Sequence, residues 1–437
     1  MSPSEAPLHR PLPVTRSDLR GYARLGVDVT VALTDLVEAM HRNIESTLGL
    51  STGAPPGRTT GITGFVYRRV RGGTRLVGLG LDALLGPLLE RLLPAETGRD
   101  PSAPVSATSA TSDEREALRA AVNGICGDHL ADSGNPLAIP MTLRLSGGQV
   151  LDPDAPPEAV SGRILLLVHG LCMNDRQWLR QGHDHGQALA AATGCTPIYL
   201  HYNSGRHVSQ NGRELVPLLA RLLAAWPVPV ASLVIVGHSM GGLVARSACH
   251  LARQEPALGG AAWLGALKAL VCLGTPHHGA PLERGGRWID LLLGLSRYAA
   301  PFARLGKARS AGITDLRWGN LQDADWRDRD RHAQHRDDRR PAPLPVGVPV
   351  YLVAATLTER PGSSLHAQTL GDGLVPLDSA LGRHPDPALA LAVPPDRQRV
   401  VAGANHWDLL DRAEVGAALQ AWLGAALAEP ERRPSRP

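Results

Sequence analysis

The sequence predicts an α/β protein whose mostly parallel sheet is covered by helices on both faces. Three observations carry that prediction. Short, nearly all-apolar runs recur through the C-terminal two-thirds of the chain, and amphipathic helical stretches separate them. The best defined of these runs also turns into a helix through a glycine-rich bend at Gly237–Gly242. Strands without polar alternation are buried on both faces, and the helices between them supply the cover.

In chain order, the expected strands are Ile164–Val168, Pro197–His201, Leu233–Val236, Ala269–Leu273, Val348–Ala354 and Arg399–Ala402. Each is short, rich in Val, Ile and Leu, and bounded by turn residues. Helices are expected near Gln177–Ala191, Gly212–Ala225, Met240–Arg253 and Ala413–Leu427. Ahead of them, Met141–Leu145 and Gln149–Leu151 form a hairpin-like pair turned by Ser146-Gly147-Gly148. The alternation is interrupted once, over residues 281–345. That insertion opens with an amphipathic stretch, Trp288–Leu305, and closes in a dense charge run over residues 323–340, expected to be a solvated face. An insertion of this length beside a strand end reads as a lid or cap.

The N-terminal quarter has a different pattern. Residues 1–15 are Pro-rich and expected to be a disordered tail. Leu19, Tyr22, Leu25, Val29, Leu33, Leu36, Met40 and Ile44 then recur at steps of three and four, the spacing of one helical stripe. A second apolar segment, Ile62–Leu93, completes a helical hairpin extension over residues 16–93. Packing on the main domain is its expected role, and peripheral membrane contact through its arginines (Arg68, Arg69, Arg71, Arg75) or through the lid is the alternative. A Pro/Ser/Ala/Thr-rich linker is expected over 94–113, with a short helix at Asp113–Val122, the α/β domain over 114–430 and a tail at 431–437.

Composition narrows the function. With 437 residues, 43% of them hydrophobic, the chain can bury a large core. Its 45 basic and 41 acidic residues nearly balance, which disfavours a nucleic-acid partner. Five cysteines without C-x-x-C spacing give no metal or redox motif. No apolar leader or spanning segment is visible, and the expected compartment is the cytoplasm.

The chemistry concentrates in Gly237-His-Ser-Met-Gly241, a G-x-S-x-G preceded by an apolar strand and followed by a helix. That context is a nucleophile elbow, with Ser239 presented at the apex of a strained turn. A serine hydroxyl needs a base, and the base needs a carboxylate to orient it. In this architecture they follow in the order Ser, Asp, His at successive strand ends. Asp372, in Gly371-Asp-Gly-Leu-Val-Pro376, is the expected acid, with Asp378 as competitor. His406, in Asn405-His-Trp407, is the expected base. The oxyanion donors are expected to be the backbone N–H groups of Met240 and Leu171, the latter in the loop after Ile164–Val168. His169, His238, His277 and His278 read as structural hydrogen-bonding residues.

Together, Val168–Leu171, Gly237–Gly242, Leu273–Pro281 (L-G-T-P-H-H-G-A-P), Gly371–Pro376 and Asn405–Trp407 resemble the motifs of α/β-hydrolase fold lipases and esterases. The nearest likeness is to the bacterial lipase group related to the PGAP-like GPI inositol-deacylases, over roughly residues 140–428. The resemblance implies a Ser239–His406–Asp372 triad, ester-type small-molecule or lipid substrates, no cofactor, and a helical lid after the T-P-H-H-G motif. It leaves open an acyltransferase using the same triad, and a non-catalytic binding protein on a hydrolase scaffold.

Overall fold

The computed structural model describes residues 15–47, 64–77, 105–280, 309–330, 336–359 and 371–427. The expected terminal tails, the expected helical start of the insertion over 281–308 and the segment 78–104 lie outside these residues. The chain divides into two compact units, Met1–Arg115 with Leu130–Ala138, and Glu116–His129 with Ile139–Pro437.

In the first unit, helix α1 spans Arg16–Thr47. Its start is closed reciprocally: the Asp18 amide donates to Thr15 Oγ1 (3.2 Å) and the Thr15 amide to the Asp18 carboxylate (3.1 Å). Helix α2 covers residues 64–77. Arg68, Arg69 and Arg75 of α2 are exposed, whereas Arg71 is buried. Its guanidinium bonds Asp35 (2.8 Å) and the buried Glu38 of α1. Arg71 is therefore an interhelical tie and not part of a solvated cluster, its buried charge matched by the two carboxylates.

Helix α3, Val105–Asp132, starts inside the stretch expected to be linker and far outruns the short helix foreseen at Asp113–Val122. Its Ser, Ala and Thr residues each cost at most about 0.7 kcal/mol relative to Ala in a helix, so a buried continuation at Ala120–Val122 can extend it backwards.

The second unit is an eight-stranded sheet in the order β2-β1-β4-β3-β5-β6-β7-β8. The strands are β1 (Thr142–Arg144), β2 (Val150–Leu151), β3 (Arg163–Val168), β4 (Thr196–His201), β5 (Ser232–His238), β6 (Leu267–Leu273), β7 (Val350–Thr356) and β8 (Gln398–Ala402). Strand β1 runs antiparallel to β2 and β4, and all other pairs are parallel. Ile164 to Val168 are wholly buried, as a central strand covered on both faces requires. Helices α4 (His185–Thr193), α5 (Val208–Ala225), α6 (Met240–Gln254), α7 (Ala261–Ala266) and α8 (Ala413–Leu427) cover the sheet.

Helix α4 begins eight residues later than the sequence pattern suggests. Gly182 takes φ +80°, which stops any helix arriving from Gln177, and Asp184 then caps α4 by accepting the Gly186 and Gln187 amides (2.7 and 3.1 Å). The charge run also differs from expectation. Asp325 is buried and accepts the Leu321, Gln322 and Arg340 amides, while Arg339 donates to the carbonyls of His277 and Gly319. Backbone groups without a ladder partner draw these charges inward. Among the described residues, no helix is long and apolar enough to cross a membrane.

The topology itself places a crevice. From β3 the chain moves outward to β4, then returns to β5 on the other side of β3 and continues to β6. Loops leaving β3 and β5 at their carboxyl ends thus diverge, which opens a cleft at a switch point.

Candidate active site

Ser239 stands at that cleft, between β5 and α6, half-exposed and with φ +54° and ψ −125°. A non-glycine residue held there is strained, and the surrounding glycines explain how it is held. A Cβ on Gly237 would fall 2.5 Å from the Gly242 nitrogen, and one on Gly241 2.1 Å from the Val168 carbonyl oxygen. Any side chain at either position would push the elbow apart. The Ser239 amide donates to Leu273 O at 2.8 Å, which pins the turn to the end of β6.

Asp372 and His406 are brought together. His406 Nδ1 lies 2.6 Å from one Asp372 carboxylate oxygen, and both residues are buried. The other carboxylate oxygen accepts the amides of Leu374 (2.9 Å) and Val375 (2.8 Å), so the loop Gly371–Val375 closes around its own aspartate. The His406 amide also donates to Asp372 O at 3.1 Å. A carboxylate can only accept; the partner therefore assigns the proton to Nδ1 and leaves Nε2 with a free lone pair. Asp378, the competing acid, is half-exposed and pairs with Arg383 at 3.2 Å.

The elbow and this pair meet through Gly274, which follows directly on Leu273. A Cβ there would sit 3.0 Å from His406 Cε1, at φ +57°. Gly170 meets the elbow from the other side, its would-be Cβ 3.0 Å from Ser239 Cβ. Among the described residues, the amides of Leu171 and Met240 donate to no protein acceptor. Leu171 owes its place to residues that local sequence does not reveal. The Cys172 amide donates to Ser204 Oγ (3.0 Å), with Cys172 at φ +59°, and Tyr202 Oη donates to His169 O (2.8 Å). Both partners follow β4, and their only sequence signal is that position at a neighbouring strand end.

Of the four histidines read as structural, His169, His238 and His277 are buried and His278 is half-buried. His238 Nε2 bonds His406 O (3.2 Å), and burial, reinforced by the neighbouring His406, pushes its pKa well below the usual imidazole range. Burial lowers His169 to about 3, and its Nδ1 lies 2.9 Å from Gly170 O. Both rings stay neutral beside the site.

A mostly parallel eight-stranded sheet with an antiparallel edge, carrying a strained serine at its switch point, defines an α/β-hydrolase fold. Residues 159–326 match the model of the PGAP1-like alpha/beta domain family. No curated protein matches the chain. Among solved structures, the chain is similar to the mature lipase BlEst2 of Bacillus licheniformis (18% identity, TM-score 0.39, 66% of this chain and 98% of that one). It is also similar to the Staphylococcus hyicus lipase (14% identity, TM-score 0.33, 62% and 97%). A third likeness is to YbtT, a type II thioesterase from the yersiniabactin pathway (16% identity, TM-score 0.34, 62% and 97%).

Proposed function

We propose that the protein is a serine hydrolase of carboxylic esters that works through an acyl-enzyme on Ser239. Ser239 Oγ attacks the ester carbonyl carbon while His406 Nε2 takes its proton. Asp372, bonded to Nδ1, holds the ring and stabilises the imidazolium. The Leu171 and Met240 N–H groups bind the tetrahedral oxyanion, where each such donor is worth about 2.7–4 kcal/mol. The C–O bond to the alcohol breaks, His406 returns the proton to the leaving oxygen, and water hydrolyses the acyl-enzyme by the same steps.

The observation that carries the reading is the 2.6 Å bond between His406 Nδ1 and Asp372 at the strand ends beside the Ser239 elbow. Hydrolysis of p-nitrophenyl esters from two to sixteen acyl carbons, by wild type and Ser239→Ala, tests it. The expected result is activity that the substitution lowers by roughly six orders of magnitude. Retained activity in Ser239→Ala sinks the proposal. Added alcohol acceptors distinguish hydrolysis from acyl transfer by their products.

A second reading concerns the first unit alone. Helix α2 exposes Phe65, Val66, Val70, Leu76 and Val77 on one broad stripe, with Arg68, Arg69 and Arg75 in solvent around it. This pattern suits an anionic lipid surface. Co-sedimentation of the whole chain with phosphatidylserine vesicles, reduced by Val66→Asp with Leu76→Asp, is the expected outcome; unchanged sedimentation rejects it.

A further inference from the structure

A cavity of about 250 Å³, not lined by Ser239, Asp372 or His406, lies against α6 and the loop after β6. Its polar end holds Arg246 from the middle of α6 and His277 from the loop after β6. Arg246 is buried, yet among the described residues no carboxylate lies within 4 Å of its guanidinium. It donates instead to His277 Nδ1 (3.0 Å) and to Ala342 O (2.9 Å). Because arginine can only donate, His277 Nδ1 must be the acceptor, and the proton of the neutral ring sits on Nε2. That Nε2 is buried and has no hydrogen-bond partner.

The cavity therefore presents an unneutralised guanidinium, with three of its five N–H donors uncommitted among the described residues. Burial lowers Arg246 only to about 10, so it is charged at neutral pH. A buried cation without a counter-charge costs several kcal/mol, and an acceptor bearing negative charge removes that cost.

The rest of the wall restricts what can enter. Arg339 is already matched by Asp337, through two bonds of 2.8 Å. Asp325 also lines the cavity, with its carboxylate committed to the Leu321, Gln322 and Arg340 amides. Arg340 and His278 also line the cavity, and much of the remaining wall is apolar, formed by Leu321, Pro343, Leu344, Leu389 and Leu391. A bare inorganic ion would leave that surface wet; a chain of several carbons would fill it.

We infer that this cavity is a binding site for a small organic carboxylate, its head on Arg246 and its chain against the leucines. The inference is independent of the esterase reading, since none of the three catalytic groups takes part.

Isothermal titration of the full-length protein with sodium hexanoate tests it, with hexylamine and inorganic phosphate as controls. The expected result is saturable one-site binding of hexanoate, at least tenfold weaker in Arg246→Gln, with no binding of hexylamine and no competition by phosphate. Binding that persists in Arg246→Gln assigns hexanoate elsewhere and overturns the inference. So does the absence of saturable binding, or hexylamine binding as tightly as hexanoate. If Arg246→Gln does not fold, a solved hexanoate complex of the wild type decides: a carboxylate on Arg246 upholds the site, and one placed elsewhere removes it.

Discussion

His406 and His277 both stand on loops at the carboxyl end of the sheet, equally buried, and each ring is fixed through Nδ1 by one charged side chain. The sign of that partner separates them. Asp372 accepts from His406, so Nε2 is left able to take a proton. Arg246 donates to His277, so Nε2 is left able only to give a hydrogen bond. In the proposed mechanism the first imidazole serves as the base, whereas the second can only donate from Nε2, although the two are equally buried. Burial alone, then, does not distinguish the two rings; the charge facing Nδ1 does.

The comparison breaks most sharply at Asp372. Asp372→Asn can reverse the hydrogen-bond sense at His406 Nδ1, and turnover of p-nitrophenyl esters is expected to fall by about four orders of magnitude. Asp378→Asn, which touches only the exposed Arg383 ion pair, is expected to stay within twofold of wild type. Equal losses from the two substitutions would show that the carboxylate facing His406 has been misassigned.

A smaller effect is expected at Gly274. An alanine methyl there meets the His406 ring and also occupies a positive-φ position. Displacing the base by a fraction of an ångström should lower kcat by about a hundredfold, with KM little changed. A kcat within threefold of wild type in a folded Gly274→Ala would mean that this close approach does not position the ring.

The remaining lever is pH, and it acts on stability rather than on turnover. Burial holds His169 at about 3, His185 and His278 at about 4, and His238 and His277 well below the ordinary value. Below about pH 6.5 the unfolded chain binds protons that the folded chain refuses, so stability falls as pH drops. Each of these histidines adds up to about 1.4 kcal/mol per pH unit, until its folded pKa is reached. Urea unfolding at pH 7.5, 6.0 and 5.0 should show a steadily falling midpoint, whereas a flat profile would imply that these rings take up protons in the native state.

How much of this was legible in the sequence depends on how local each cause is. The Ser239 elbow is legible because five consecutive residues contain their own reason: Gly237 and Gly241 are where side chains would collide. The sheet is legible because Ile164–Val168 and its relatives are apolar on both faces. Asp372 and His406 could be nominated only by their order along the strands, since the hydrogen bond joining them spans 34 residues. Arg246 was invisible, because an arginine in mid-helix reads as surface until His277, 31 residues on, packs over it. Arg71 and the charge run at 323–340 misled for the same reason. Local composition reports charge, and only tertiary structure reports which backbone carbonyls and carboxylates the charge will meet.

The measurement that tests the central claim most directly is covalent trapping. Wild type, Ser239→Ala and Asp372→Asn are treated with a fluorophosphonate and digested, and the modified peptide is identified by mass. The account predicts rapid labelling of wild type on the peptide carrying Ser239, labelling slowed by orders of magnitude in Asp372→Asn, and none in Ser239→Ala. Labelling on another residue, or at the same rate in Asp372→Asn, would contradict it.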